Sequence, residues 1–240
     1  MKHFTTIILV ALATFNVLAQ EDIKRDDEKS KNRPSVCRNI LIIGDSNGVR
    51  EHGWVDQLQF IRKNDVFYNT SISGNTIGFN NGGRTERNTL VNIDRYMNKA
   101  SKKLGSLDAI IIMLGTNDCK EIFANYLKKV PENMSELLSK IKEHPVYEKL
   151  KPQLFIVSPP PYAPDNMLAE KYHGGAERIS YLYSKFKKIA KKEDCIFIDT
   201  YSQLEEIFSK LTLDGIHLTA EGQLIIASAI AKKLDDQFDK

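Results

Sequence analysis

The chain has 240 residues, of which 42% are hydrophobic and 27% are charged. This balance is typical of an ordinary globular protein with a sizeable core, and it excludes collagen-like, intrinsically disordered and disulfide-stapled chains. The net charge of +3 is too small over this length to build a strong phosphate-binding surface, so nucleic acid is not expected as a partner.

The first 19 residues have the pattern of a secretory signal peptide. Lys2 supplies a positive start, residues 7–12 an apolar stretch, and Val17-Leu18-Ala19 a small-residue exit, so cleavage is expected after Ala19. An N-terminal membrane anchor or a cytoplasmic helix is the alternative interpretation. No later segment approaches the roughly 20 apolar residues of a membrane span. The pattern predicts a secreted or periplasmic protein with no stable membrane insertion after cleavage.

Residues 20–37 carry many acidic and basic side chains and few apolar ones, which predicts a flexible linker. Residues 38–240 change to apolar runs of strand length separated by longer helical segments, as βαβ units require. The predicted strands are 40–43, 66–72, 109–114, 154–157 and 196–198. The main predicted helices are 54–61, 89–103, 131–141, 177–192 and 220–234. This alternation predicts one α/β domain, a three-layer αβα sandwich around a mostly parallel five-stranded sheet.

The motifs that carry chemistry lie at predicted strand ends and near the C-terminus. The carboxyl edge of the sheet is where α/β proteins place their sites. The motifs are Gly-Asp-Ser-Asn-Gly at 44–48, Ser-Ile-Ser-Gly-Asn-Thr at 71–76, Gly-Thr-Asn-Asp at 115–118, Ser-Pro-Pro-Pro at 158–161 and Asp-Gly-Ile-His-Leu-Thr at 214–219.

Three residues of these motifs suit nucleophilic catalysis. A hydroxyl nucleophile needs a base within hydrogen-bond reach and a third group that orients the base. Ser46 can be the nucleophile, His217 the base and Asp214 the orienter, because one tight turn brings this aspartate to the imidazole. An oxyanion hole needs preorganised donors, and the candidates are the backbone N–H groups of Ser46 and Gly74 and the side-chain amide of Asn117. Taken singly, the serine, the glycine and the asparagine also fit ordinary turns.

Taken together, the blocks around Ser46, Gly74, Asn117 and His217 resemble those of the SGNH hydrolases of the GDSL esterase superfamily. The order of the blocks, their positions at strand ends and the Asp214–His217 pair carry the resemblance, which covers about residues 38–234. It implies a flavodoxin-like SGNH hydrolase fold and a carboxylic ester hydrolase that works through an acyl-enzyme.

Some segments are closer to one branch of the superfamily than to another. The run at 111–118, the Pro-rich segment at 158–164 and the glycines at 174–175 are similar to the arylesterase and acyltransferase branch. The segment at 69–74 is instead similar to periplasmic lysophospholipase/thioesterase members. In the first block Asn47 stands where the family usually has leucine, which leaves the acyl pocket and the substrate open.

The loops expected over the site are polar. Their amides suit a hydroxyl-rich leaving group such as a sugar, although a solvated loop would have the same composition. Asn75 and His52 are candidate substrate-binding residues. The apolar residues of these loops are too scattered to form a continuous lid for a long chain; they are Ile77, Phe79, Tyr162, Met167, Leu168 and Tyr172.

These features predict an exported serine esterase for short-chain esters, with acetyl as the expected acyl group on a carbohydrate or another polar alcohol. Two alternatives remain open. One is a long-chain lysophospholipase or thioesterase, and the other is a catalytically silent carbohydrate-binding module.

Three cysteines, Cys37, Cys119 and Cys195, follow the expected cleavage point. An odd number leaves at least one thiol free or paired between chains, so their disulfide state stays open. No CxxC or HExxH spacing predicts a metal site, and no GxGxxG fingerprint predicts a dinucleotide, so no metal or cofactor is expected. The sequence does not indicate an oligomeric state.

Overall fold

The computed structural model describes residues 37–239. The signal peptide predicted for residues 1–19, and residues 20–36 of the predicted linker, lie outside the described residues. Within residues 37–239, none of the helices combines the length and the apolar character that a bilayer span requires.

Five parallel strands form one sheet in the order β2-β1-β3-β4-β5. The strands are β1 (Asn39–Ile43), β2 (Val66–Asn69), β3 (Ala109–Ile112), β4 (Gln153–Val157) and β5 (Ile196–Ile198). The central strands β1, β3 and β4 are almost continuously buried, as expected when helices cover both faces of a parallel sheet. The predicted α/β class and five-stranded sheet are confirmed, and all four strand pairings are parallel.

The helices cover the sheet in two layers. In residues 37–239 the α-helices are α1 (Trp54–Ile61), α2 (Thr89–Leu104), α3 (Lys129–Glu143), α4 (Pro145–Leu150), α5 (Gly175–Lys192), α6 (Tyr201–Leu204) and α7 (Ala220–Phe238). The chain runs from β1 outward to β2 and then back to β3, so right-handed crossovers place α1 on one face and α2, α3 and α5 on the other. In agreement, α1 packs on α7, α2 on α3 and α3 on α5. The reversal of direction puts a crevice at the carboxyl ends of β1 and β3.

The sequence determines where α2 and α7 begin or end. In α2 the side chains of Ile93, Met97 and Ala100 are buried at helical spacing, and the helix stops at Gly105, whose φ of 76° favours glycine. In α7 the Thr219 hydroxyl accepts a hydrogen bond from the backbone N–H of Gly222. The predicted helix start after Thr219 is therefore confirmed.

Several element boundaries differ from the predicted ones. Strand β2 stops at Asn69 instead of residue 72, because the Asn69 side chain accepts a hydrogen bond from the backbone N–H of Ser71 and turns the chain. Helix α7 continues to Phe238 instead of residue 234, and the Arg38 guanidinium lies 4.8 Å from the centre of the Phe238 ring. The short helices α4 and α6 were not predicted, since they have too few turns for a clear apolar period.

The three cysteines are all free thiols in the structure. Cys119 is fully buried in the core, whereas Cys37 is exposed and Cys195 is half-buried. Burial raises the pKa of the Cys119 thiol well above its usual range, and the neighbouring carboxylate of Asp118 adds to the rise. Cys119 is therefore a packing residue rather than a reactive thiol.

Candidate active site

The loop that carries the predicted nucleophile follows β1 and packs tightly on the loop after β2. The Asp45 carboxylate accepts a hydrogen bond from the backbone N–H of Asn47 at 3.0 Å and starts a short 3₁₀ turn, Ser46–Gly48. A Cβ atom at Gly44 or Gly48 would lie 2.6 or 2.5 Å from the Ser71 Oγ atom. A side chain at either position would have to displace the Ser71 hydroxyl, so the two loops approach closely at the carboxyl edge of the sheet.

Asn47 connects the nucleophile loop to the histidine loop and to α7. Its side-chain oxygen accepts hydrogen bonds from the Gln223 side-chain amide at 2.8 Å and from the backbone N–H of Leu218 at 3.4 Å. The Gln223 side-chain oxygen in turn accepts from the backbone N–H of Trp54 at 3.1 Å. The residue that replaces the family's usual leucine is thus a buried polar link between the two loops. Sequence reasoning missed Gln223, although a glutamine on the buried face of a helix was a usable signal.

The loop that carries the predicted base is held by its own hydrogen bonds. The Asp214 Oδ1 atom accepts from the backbone N–H groups of Ile216 at 3.0 Å and His217 at 2.7 Å. The Thr212 hydroxyl donates to the His217 carbonyl at 2.8 Å and accepts from the Gly215 N–H at 3.0 Å. Gly215 has a φ of 79°, which favours glycine. The turn between the aspartate and the histidine is therefore closed and preorganised.

Ser46, His217 and Asp214 lie in one hydrogen-bonded series. The Ser46 Oγ atom is 2.9 Å from His217 Nε2, and His217 Nδ1 is 2.5 Å from Asp214 Oδ2. Because the aspartate is ionised and can only accept, Nδ1 carries the proton, and Nε2 is left to accept from the serine hydroxyl. The series has the geometry of a nucleophile, a base and an orienting carboxylate.

The Asp214 carboxylate stays ionised at mildly acidic, neutral and alkaline pH. Partial burial raises its pKa, but the hydrogen bonds from the His217 ring, the His217 backbone N–H and the Ile216 backbone N–H outweigh this effect. The net result is a pKa of about 2. An ionised aspartate at this position stabilises the imidazolium that forms when the histidine takes a proton.

The predicted oxyanion donors lie on the loops around Ser46. The Asn117 side chain is buried, and its Nδ2 atom has no hydrogen-bond partner within the part of the chain that the structure describes. Neither the Ser46 nor the Gly74 backbone N–H donates to a backbone carbonyl in the described loops. Gly74 has a φ of 84°, and its carbonyl accepts from the Asn81 side chain at 2.6 Å. An unpaired buried donor costs stability, and active sites commonly retain one for a ligand.

The structure shows the hydrogen bonds of Asn75, a candidate substrate-binding residue. Its side chain is fully buried, donates to the Gly44 carbonyl at 2.9 Å and accepts from the Thr89 hydroxyl at 3.3 Å. Its backbone N–H is also used, in a hydrogen bond to Ile72. Asn75 therefore links the second loop to the first through its side chain. The Asn81 amide likewise donates within the protein, to the Gly74 carbonyl, whereas Asn80 is exposed.

His52 is not connected to the catalytic series. It lies in an exposed turn before α1 with a φ of 59°, and its backbone groups bond to Asp56 and Gln57. The residue lines a cleft of about 330 Å³ between α1 and the start of α7, together with Phe60 and Leu224. The predicted contact of His52 with substrate stays a prediction.

A buried carboxylate that the sequence did not single out links the third block to the second. Asp118 is fully buried, and its two oxygens accept from the Ile77 backbone N–H at 3.0 and 3.2 Å. Burial raises its pKa to about 7, and the nearby Asp45 charge adds to the rise, while the Ile77 and Gly78 N–H groups act in the opposite direction. Asp118 therefore braces the loops on which the oxyanion donors lie.

The raised pKa of Asp118 predicts a pH dependence of stability. The folded pKa of about 7 lies above the ordinary value of 3.8, so between these values the folded state binds more protons than the unfolded chain. The free energy of unfolding should therefore fall as pH rises from about 4 to 7, by on the order of 1 kcal/mol per pH unit. In Asp118→Asn this fall should be smaller. Urea unfolding at a series of pH values measures it.

The matched control for this series is Asp94→Asn, which removes an exposed carboxylate of α2. In this variant the free energy of unfolding should fall with pH as steeply as in the wild type. Parallel profiles for the wild type and Asp118→Asn would contradict a buried carboxyl that titrates near neutral pH.

A parallel sheet with a serine, a histidine and an aspartate hydrogen-bonded in series at its carboxyl edge is an arrangement typical of serine hydrolases. The model of the GDSL-like lipase/acylhydrolase family matches residues 42–225, a span that includes all five predicted catalytic and oxyanion residues. The chain belongs to this family and is a carboxylic ester hydrolase. No curated protein gives a significant match to the sequence.

Solved structures with the same fold include three esterases. A carbohydrate acetylesterase from Sinorhizobium meliloti is 23% identical with a TM-score of 0.67, and the match covers 84% of this chain and 100% of that one. The inhibitor-bound aryl esterase of M. smegmatis is 22% identical with a TM-score of 0.64, and coverage is 83% and 99%. A lipase/acylhydrolase from Enterococcus faecalis is 19% identical with a TM-score of 0.62, and coverage is 83% and 96%. These likenesses confirm the SGNH hydrolase fold.

Proposed function

We propose that this protein is an exported serine esterase that hydrolyses short-chain esters, with acetyl as the preferred acyl group on a carbohydrate or another polar alcohol. The observation that carries the proposal is the hydrogen-bonded series of Ser46, His217 and Asp214, with distances of 2.9 and 2.5 Å. The unpaired amide of Asn117 supports it as a donor to the reacting carbonyl oxygen. The signal-peptide pattern of residues 1–19 supports export.

The proposed reaction has two halves. Ser46 Oγ attacks the ester carbonyl carbon while His217 Nε2 takes the hydroxyl proton, and the carbonyl oxygen becomes an oxyanion held by donors of Ser46, Gly74 and Asn117. The tetrahedral intermediate then breaks its bond to the alcohol oxygen, which receives the proton from Nε2. Water then attacks the carbonyl carbon of the acyl-enzyme in the same way and gives its proton to His217 Nε2. The acid is released, and Ser46 regains its proton from His217.

A short acyl group is supported by the positions of the apolar side chains in the surrounding loops. Ile77, Tyr162 and Leu168 are buried in the core, and Phe79 stacks on Phe123 with ring centres 4.5 Å apart. These side chains are used in packing and offer little surface for a long chain. The carbohydrate part of the proposal is supported by the likeness to the carbohydrate acetylesterase from Sinorhizobium meliloti.

One observation favours the long-chain alternative. Leu213, next to Asp214, is 94% exposed, and Val49, three residues after Ser46, is 49% exposed. Exposed apolar side chains beside a catalytic serine suit a lipid substrate.

Acyl length separates the two functions. In a long-chain enzyme each methylene that enters an apolar groove contributes about 0.8 kcal/mol, so the change from butyrate to octanoate would raise kcat/KM on the order of a hundredfold. With a short pocket, kcat/KM is expected to fall over the same change. Hydrolysis of aryl esters from two to twelve carbons measures the trend. A maximum at eight carbons or more would reject the acetylesterase and favour the lysophospholipase or thioesterase.

A further inference from the structure

Two basic side chains contact the loop of the predicted oxyanion donor Gly74. A Cβ atom at Gly74 would lie 3.2 Å from the Arg87 Nε atom. The Lys120 ammonium donates to the Asn81 side-chain oxygen at 3.3 Å, and the Asn81 amide donates to the Gly74 carbonyl at 2.6 Å. Arg87 therefore lies directly beside Gly74, and Lys120 is linked to Gly74 through the Asn81 side chain.

A third cation completes a cluster on this side of the site. The Lys120 and Lys171 ammonium groups lie 5.6 and 5.1 Å from the centre of the Tyr172 ring. Burial raises the pKa of Tyr172, and the charges of Asp214 and Asp45 raise it further. We call Arg87, Lys120 and Lys171 the cationic cluster.

Carboxylates do not neutralise this cluster through direct contact. Within residues 37–239 no member of the cluster forms a salt bridge. Glu86, which precedes the arginine, is paired with Arg84 instead. Glu121 and Glu170, the chain neighbours of the two lysines, are exposed.

Burial and the neighbouring charges act on the Lys120 ammonium. Its pKa lies below the ordinary value because of burial first, and then because of the positive charges of Lys171 and Arg87. The buried carboxyls of Asp45 and Asp118 act in the opposite direction and do not outweigh them. Like charges gathered without a salt-bridged carboxylate are unfavourable for the free protein, and a bound anion would relieve the repulsion.

We propose that the cationic cluster is a subsite for a negatively charged group, such as a sugar carboxylate, on the alcohol part of the ester. This inference rests on the proposed function, because a short acyl group leaves the alcohol as the part that can carry the charge. The side-chain amides of Asn75 and Asn81 donate within the protein, and the cations are charged groups beside them that can bind an anion. Arg87 and Lys120 are half-buried, which keeps part of their interaction from solvent screening.

The test compares two acetate esters of similar size, 3-carboxyphenyl acetate and 3-carbamoylphenyl acetate. The quantity measured is the ratio of their kcat/KM values in the full chain, because the intrinsic reactivities cancel when this ratio is compared between variants. Arg87→Gln and Lys171→Gln are each expected to lower the ratio about threefold to tenfold, mainly through KM of the anionic ester. Added salt should lower the wild-type ratio as well.

The control is Lys102→Gln, which removes an exposed positive charge from the last turn of α2. Its ratio should equal that of the wild type. Equal ratios in Arg87→Gln, Lys171→Gln and Lys102→Gln would overturn the subsite. If the cluster acted only on the transition-state oxyanion, both esters would lose kcat equally and the ratio would not change, which also overturns it. Failure of the wild type to hydrolyse either ester would instead contradict the proposed function.

Discussion

Replacing Ser46 or His217 by alanine is expected to lower kcat by about four orders of magnitude or more. In the proposed reaction the serine supplies the bond-forming oxygen, and the histidine, 2.9 Å away, takes and returns its proton. Because neither residue can catalyse the reaction without the other, kcat of the double variant should be little lower than kcat of either single variant. Steady-state hydrolysis of an aryl acetate, with each variant at high enzyme concentration, measures these losses.

Two controls separate this loss from misfolding. Within residues 37–239 the Ser46 hydroxyl forms one hydrogen bond, to the His217 ring, so Ser46→Ala should unfold close to the wild-type temperature. Ser139→Ala removes a hydroxyl that bonds to Glu143 on the surface of α3, and its kcat should be that of the wild type. Losses that multiply in the Ser46 and His217 double variant would contradict the assignment, because independent residues combine in that way.

Replacing Asn117 by alanine is expected to lower kcat by about 10² to 10³ while KM changes little. Its side-chain amide is buried without a partner, so the donor is available when the carbonyl oxygen gains negative charge. The same variant removes an unsatisfied buried group and should therefore not lower the free energy of unfolding through that amide. Kinetics of an aryl acetate and urea unfolding, measured on one preparation, test both expectations.

The combination of the two readouts is what distinguishes an oxyanion donor. A residue that only supports the loop would lose stability together with activity, and a residue that only binds substrate would change KM. The matched control is Asn125→Ala, an exposed asparagine in the segment after the third block, which should leave both quantities unchanged.

The periodicity of apolar residues was sufficient to predict the sheet and the long helices. The apolar run at Ala109–Ile112 indicates a buried strand, and the apolar residues of α2 recur at helical spacing. Thr219 marks the start of α7. The short helices α4 and α6 were missed because one or two turns do not establish a period. The end of β2 was misplaced because a side-chain hydrogen bond from Asn69, rather than an apolar pattern, ends the strand.

The residues whose chemistry depends on their type could be predicted from the sequence. The roles that depend on hydrogen bonds within the folded protein were harder to predict. Ser46, His217 and Asp214 lie together because strand ends and one tight turn bring them there. Asn75 was assigned to substrate because it is polar and adjacent to Gly74, but its hydrogen bonds are made inside the protein.

Contacts between distant segments account for the features that the sequence did not reveal. The link from Asn47 to Gln223 spans 176 residues. The total net charge of only +3 likewise gives no indication of the cationic cluster. Folding gathers Arg87, Lys120 and Lys171 around one loop, and composition cannot register such a local excess of charge.

Labelling with a fluorophosphonate probe tests the central claim that Ser46 is an activated nucleophile. The probe forms a covalent bond to a serine only when a base takes the hydroxyl proton, so labelling reports the Ser46–His217 contact directly. Digestion and mass spectrometry of the labelled full chain should place one adduct on Ser46, and Ser46→Ala and His217→Ala should not label. An unlabelled wild-type protein, or an adduct on another residue, would contradict the account and favour the silent binding module or a different nucleophile.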